Sequence, residues 1–162
     1  MINKIRDNIF QMHFDEFGSC VYLIKLENKN ILIDTSSEEN RDNLIQDLSE
    51  LNTRPEEINH LILTHSHWDH IGNVSLFKNA MIFNSDNIDN LDIKEFKIIK
   101  TPGHTMDSIC ILYGDILFSG DTIFHDGGIG RTDFVESDPK EMIISLNKLH
   151  KLKFRVLCPG HL

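Results

Sequence analysis

Four times along this 162-residue chain an apolar run of β type ends and a residue able to hold a metal ion follows almost at once. HLILT (60–64) leads into His65, His67, Asp69 and His70. FKIIK (96–100) leads into TPGHT with His104, DILFSG (115–120) into Asp121, and FRVLC (154–158) into PGH with His161. Loops at one edge of a sheet converge in space, so ligands placed after suitably ordered strands meet in a single cleft. The pattern asks for a fold in which strand ends from four distant stretches share a rim.

The rest of the chain is read to fit that demand. Further β-branched or aromatic runs bounded by Asn, Asp, Gly or Pro predict strands at NIFQMHF (8–14), CVYLIKL (20–26), NILID (30–34), AMIFN (80–84) and SICILYG (108–114). Gly114-Asp115 turns the last of these into DILFSG as a hairpin. Helical spacing predicts a helix over 36–51, with Leu44, Ile45, Leu48 and Leu51 inward, and another over 138–151 with Met142, Ile143, Leu146 and Leu149 on one face. Ser137 or Asp138 caps the second, Pro139 opens it, and a short third helix starts near Asp69. The length suits one domain, 1–162, and the element order predicts an α+β fold, two mostly antiparallel or mixed sheets packed face to face with outer helices.

Composition excludes several partners. Sixteen Lys and Arg against 25 Asp and Glu give a net charge of −9, and along the sequence the basic residues are scattered. Nucleic acid and acidic membrane surfaces both need concentrated positive potential, so neither is expected. There is no apolar stretch near the ~20 residues of a membrane span and no signal-type N-terminus, so a cytoplasmic location is expected. Cys20, Cys110 and Cys158 each sit in an apolar run without CxxC spacing and read as buried thiols.

Within 65–70 the spacing divides the ligands. His65 and His67 are two apart, which in extended chain puts both imidazoles on one side and lets them share an ion. Asp69 and His70, past the corner, point elsewhere and suit a second. Nitrogen and carboxylate ligands without thiolate fit zinc, iron or manganese. His13, His60 and His150 read as structural histidines, the last at a helix C-terminus where a cation suits the dipole.

Together ILIDT (31–35), THSHWDH (64–70), TPGHT (101–105), FSGDTIF (118–124), GGIGRTD (127–133) and CPGH (158–161) resemble the metallo-β-lactamase superfamily in its glyoxalase II-like branch. The resemblance implies a four-layer αβ/βα sandwich with a dinuclear site for two divalent metal ions, zinc first, iron or manganese otherwise. It implies His65, His67 and His104 on one ion, Asp69, His70 and His161 on the other, Asp121 bridging, and Asp34 behind a ligand. It implies a hydrolase of a small-molecule thioester or similar acyl bond, a metal-bridging hydroxide attacking the carbonyl while Asp69 orients it and takes its proton. Arg131, able to grip a carboxylate or pair with Asp133, and His125 are candidate substrate contacts.

Three departures bear on the finer reading. The sequence stops one residue after His161, where glyoxalase II continues into a glutathione-binding helical domain, so its substrate is not carried over. GGIGRTDF stands in place of that enzyme's own segment and resembles the version in short glyoxalase II-like proteins and in persulfide dioxygenases. The helix that commonly follows the last ligand is also missing, from which a homodimer covering the bare sheet is expected. The alternatives to a thioesterase are an oxidoreductase of persulfide dioxygenase type, with one iron on His65, His104 and Asp121 or a permutation with His67, and a lactone or phosphodiester hydrolase.

Overall fold

The computed structural model describes all residues 1–162. They gather into two compact units, residues 1–63 with 67–83 and residues 64–66 with 84–162. Each contains one mixed sheet and at least one helix, so the class is α+β as expected.

The first unit is built on a six-stranded sheet in chain order: β1 (Ile2–Arg6), β2 (Ile9–Met12), β3 (Val21–Leu26), β4 (Lys29–Ile33), β5 (His60–Ile62) and β6 (Met81–Phe83). The first four pair antiparallel and the last two add in parallel. Parallel addition needs a crossover, and α1 (Arg41–Glu50) supplies it between β4 and β5. Val21, Leu23, Leu32 and Leu61 from the strands pack in one core with Leu44 and Leu48 from α1. β1 escaped the sequence reading: INKIR offers only two apolar residues, and its charges are those of an edge strand kept from pairing further.

Two details of α1 depart from the expected pattern. The helix begins at Arg41 after a 3-10 turn over Glu38–Asn40, because Ser36 sits at φ +60° and Ser37 is extended, neither of them helical. Ile45 lies on the solvent face, 37% exposed, while Asp47 is buried; the inward stripe is Leu44, Leu48 and the half-buried Leu51. Successive helical residues are ~100° apart, so Leu44 and Ile45 cannot both face the core squarely.

The second unit holds β7 (Phe96–Lys100), β8 (Ile109–Tyr113), β9 (Ile116–Gly120) and β10 (Val156–Pro159) in the order β10-β9-β8-β7. β10 runs parallel to β9 and the remainder are antiparallel. The β8–β9 hairpin turns at Gly114, φ +59°, as the sequence suggests. The helix α3 (Pro139–His150) is capped by Asp138, whose Oδ1 accepts from the amides of Lys140 at 2.8 Å and Glu141 at 3.2 Å. Its buried stripe is Met142, Ser145 and Leu149; Ile143 faces solvent, contrary to the expectation, for the angular reason that displaced Ile45. All three cysteines are buried and none is in a disulfide. No helix is long and apolar enough to cross a membrane.

Candidate metal centre

In the first unit the chain leaves β5 and makes a single turn of helix, α2 (Trp68–Ile71), carrying Asp69 and His70, both buried. The turn is strapped to the segment that follows β4. Thr35 N donates to His70 O at 2.7 Å, Thr35 Oγ1 to the same oxygen at 3.0 Å, Gly72 N to Ser36 O at 2.9 Å, and Asn73 Nδ2 to Ser37 O at 2.6 Å. The Asp34 carboxylate accepts from His70 Nδ1 at 2.8 Å, with both side chains almost fully buried. A carboxylate that takes the Nδ1 proton leaves Nε2 with a free lone pair and raises its basicity, as outer carboxylates do behind metal-binding imidazoles.

That strap is strained. Asp34 and Ser36 hold φ of +59° and +60°, a left-handed conformation costing side-chain-bearing residues about 1–2 kcal/mol each. Gly18 makes room for it: a Cβ there would collide with Ser36 Oγ, with Asn40 Nδ2 and with the Ser37 amide. Asn40 Nδ2 in turn donates to Ser36 Oγ at 3.1 Å and to Glu16 O at 3.1 Å. None of Gly18, Ser36 or Asn40 carried a sequence signal, because positive φ at a serine is invisible in a residue string.

The second unit brings its own ligands together. His104 Nε2 lies 3.5 Å and His161 Nε2 3.4 Å from Asp121 Oδ2, and the His65 and His104 rings meet edge to face at 5.1 Å between centroids. The carbonyl of Arg131 accepts from His104 Nδ1 at 2.8 Å. A carbonyl only accepts, so Nδ1 carries the proton and the Nε2 lone pair is turned toward a carboxylate oxygen. Two electron-rich atoms facing each other at that distance suit a cation held by both, and the residues fit a metal ion on that ground.

Gly130 is a close-packing glycine: a Cβ there would strike the Asp121 carbonyl and the His104 ring. Gly127, φ +79° with open space around it, serves a turn. Ser137 Oγ donates to His104 O at 2.6 Å, a further brace not anticipated from sequence. The Arg131 guanidinium forks onto Asp133 at 2.9 and 2.8 Å and stacks 4.5 Å over Phe134, so the pairing with Asp133 is the one realised. That ion pair raises the Arg131 pKa and lowers that of Asp133, chiefly through the hydrogen bonds between them. His125 is exposed and lines a cavity of about 430 Å³ with Phe124, Ile129 and His161.

Of the seven candidate ligands, His67, Asp69 and His70 belong to the first unit and His65, His104, Asp121 and His161 to the second. His13, His60 and His150 are not among the residues grouped as possible ligands. His60 is buried, stacks on Phe83 at 5.5 Å, and has its pKa lowered first by burial and then by Lys29, as befits a core histidine. His13 falls just past the end of β2 and not within it. Trp68, exposed between His67 and Asp69, tilts against Phe17 at 5.8 Å, and that pair was not anticipated either.

The fold is that of a known class. The model of the metallo-beta-lactamase superfamily matches residues 15–85 and 81–161, and the chain belongs to that family. Among relatives, it is similar to a probable metallo-hydrolase of Methanocaldococcus jannaschii, 39% identical over 145 residues, covering 81% of this chain and 70% of that protein. It is 33% identical over 115 residues to a hydroxyacylglutathione hydrolase of Hydrogenovibrio crunogenus, covering 59% of this chain and 41% of that one. Among solved structures, ETHE1 from Myxococcus xanthus superimposes with a TM-score of 0.75 at 30% identity, over 93% of this chain and 74% of that one.

Proposed function

We propose that the chain is a metal-dependent hydrolase that binds two divalent cations, zinc by preference, and cleaves a thioester or similar acyl bond in a small molecule. The carrying observation is the second unit's own cluster, in which the His104 and His161 Nε2 atoms face Asp121 Oδ2 at 3.5 and 3.4 Å and the His104 ring meets that of His65. In this reading His65, His67 and His104 would hold one ion, Asp69, His70 and His161 the other, and Asp121 would serve both. Family membership and the metallo-hydrolase and hydroxyacylglutathione hydrolase relatives support the reaction type.

When bound, such a pair of ions supplies a water of lowered pKa and positive charge for an oxygen that becomes negative. The protein does the rest. Asp34 fixes the His70 ring and the Arg131 carbonyl fixes the His104 ring, so both present Nε2. Asp69, buried on α2, orients the attacking water and receives its proton. His125 and the walls formed by Phe124 and Ile129 border the space beside His161, where substrate is held.

The test is metal stoichiometry joined to turnover. Chelator-stripped protein reloaded with zinc is expected to take up two ions per chain and to hydrolyse a short acyl thioester. Asp69→Ala, which removes a ligand of one ion together with the base, should weaken binding of that ion and lose about a hundredfold or more in kcat, and Asp121→Ala should lose metal as well. Full turnover by either variant, or uptake of a single ion, overturns the reading.

A second reading is an iron oxidoreductase of persulfide dioxygenase type. It is favoured by His65, His104 and Asp121, which the second unit brings together by itself as two imidazoles and one carboxylate. Oxygen uptake by iron-loaded protein with glutathione persulfide, without thioester cleavage, selects it.

A further inference from the structure

Along the sequence the lysines are scattered, but the fold of the second unit gathers four of them. Lys97 and Lys100 stand on β7 and Lys148 and Lys151 at the C-terminal end of α3, all exposed, around a groove of about 500 Å³. Between them the groove is floored by Ile98, Ile99 and Leu152. This happens in a chain of net charge −9, and the four make up a quarter of its 16 basic residues.

Each lysine has an ordinary reason to be where it is. β7 is the edge of its sheet, where lysines discourage strand addition, and Lys148 and Lys151 suit the negative end of a helix. Those reasons do not account for all four lining one groove with an apolar floor. Nor are the charges neutralised. Lys148 Nζ donates to Lys100 O at 2.9 Å, and Lys100 meets Asp89 at 3.5 Å in an exposed pair that solvent screens. Lys97 and Lys151 have no acidic partner.

A second cavity, about 480 Å³, shares Leu152 with the groove and is otherwise lined by Ile123, Leu146, Leu149, Phe154 and, as its one polar side chain, His150. Cations on one side and a largely apolar hollow beside them define an amphiphilic anion. The occupant is a single small molecule, because both spaces are concave hollows of ligand size.

We propose that this face of the second unit binds a small amphiphilic anion, its carboxylate or phosphate among Lys97, Lys100, Lys148 and Lys151 and its aliphatic chain over Leu152 toward Ile123. The site is separate from the candidate metal ligands and independent of the reaction assigned to them.

Isothermal titration with decanoate, below its aggregation concentration, tests it. Decanoate is expected to bind saturably at one equivalent, about tenfold or more tighter than butyrate, which lacks the chain, and than decanol, which lacks the charge. Lys97→Gln/Lys151→Gln should weaken decanoate about tenfold or more, while Lys97→Arg/Lys151→Arg retains it; circular dichroism establishes that both variants fold. Equal binding of decanol and decanoate, or unchanged binding in the glutamine variant, overturns the proposal. So does association with vesicles of anionic lipid in the absence of any binding to monomeric decanoate, which would make the patch a membrane contact.

Discussion

In the first unit His70 is held by side chains in the dark: its ring is fully buried, its Nδ1 proton goes to a carboxylate with 3% of its surface exposed, and that carboxylate sits on a strained backbone. In the second unit His104 is held by main chain near the rim. Its Nδ1 donates to the Arg131 carbonyl, its own carbonyl accepts from the Ser137 hydroxyl, and its neighbours Asp121 and His161 are 10% and 25% exposed. The difference separates two tasks. A buried carboxylate sets the charge and angle of a ligand and leaves it no freedom, whereas loop carbonyls fix an angle while leaving the far side of the ligand open to a substrate. Strain is stored where access is not needed.

Two glycines offer the largest perturbations. At Gly72 a Cβ would meet only main chain, the Glu38 amide at 2.5 Å, the Ser37 carbonyl carbon at 2.7 Å and the Ser36 carbonyl oxygen at 2.9 Å. Gly72→Ala is expected to destabilise by about 3 kcal/mol, since no side chain can give way. At Gly130 the nearest obstacle is the Asp121 main-chain carbonyl, closer than any atom a Cβ at Gly72 would meet, and the His104 ring follows at 2.8–2.9 Å. Gly130→Ala should therefore cost at least as much stability and, because it displaces two candidate ligands, a larger share of metal affinity. Urea denaturation of the stripped proteins and metal competition against a chromophoric chelator measure the two effects; the same ratio of losses in both variants would erase the distinction between the units.

The next effect isolates the carboxylate. Asp34→Ala leaves His70 Nδ1 buried without its acceptor. Metal affinity should fall about 10–100-fold, the usual consequence of losing such a partner. Ser137→Ala, which removes one brace from His104 O, should lower it severalfold at most. Equal losses would mean that burial of the carboxylate contributes nothing.

Beneath the His104 and Asp121 segments lies a thiol with a pH signature. Burial pushes Cys110 up to about 11 from 9.0, against the opposing hydrogen bonds of Thr101 and Thr122. An acid whose pKa is higher folded than unfolded favours the native state below pH 9, and that advantage is lost as pH rises from 9 toward 11. The difference in stability between wild type and Cys110→Ala should therefore shrink across that window by about 2–3 kcal/mol. A difference constant with pH would place the thiol in contact with water.

What the sequence made legible divides along the same line. Strand positions and the cap at Asp138 could be read because periodicity and turn residues are written in residue identity, and seven candidate ligands could be named because metal chemistry is too. Ile45 and Ile143 were misplaced because neighbouring apolar residues on a helix compete for one face, and only packing decides between them. Ser36, Gly18, Ser137 and the Arg131 carbonyl stayed hidden: their roles depend on backbone angle and approach, which two distant segments determine jointly. The lysine groove was missed for the same reason.

The smallest expected effect concerns strain with and without a purpose. Asn52, just past the end of α1, has φ +51°, close to the +59° of Asp34. Its amide donates to Ser49 O at 2.9 Å, the ordinary geometry of a left-handed residue closing a helix, where glycine is favoured. Asn52→Gly should stabilise the protein by about 0.5–1 kcal/mol, since it relieves the angle and removes no hydrogen bond its side chain is seen to make. Asp34→Gly relieves the same angle but deletes the carboxylate, and should lose metal affinity as Asp34→Ala does. Thermal unfolding of the stripped forms, followed by metal titration, separates the two. If Asn52→Gly also destabilises, left-handed strain cannot be the quantity the first unit spends to aim His70.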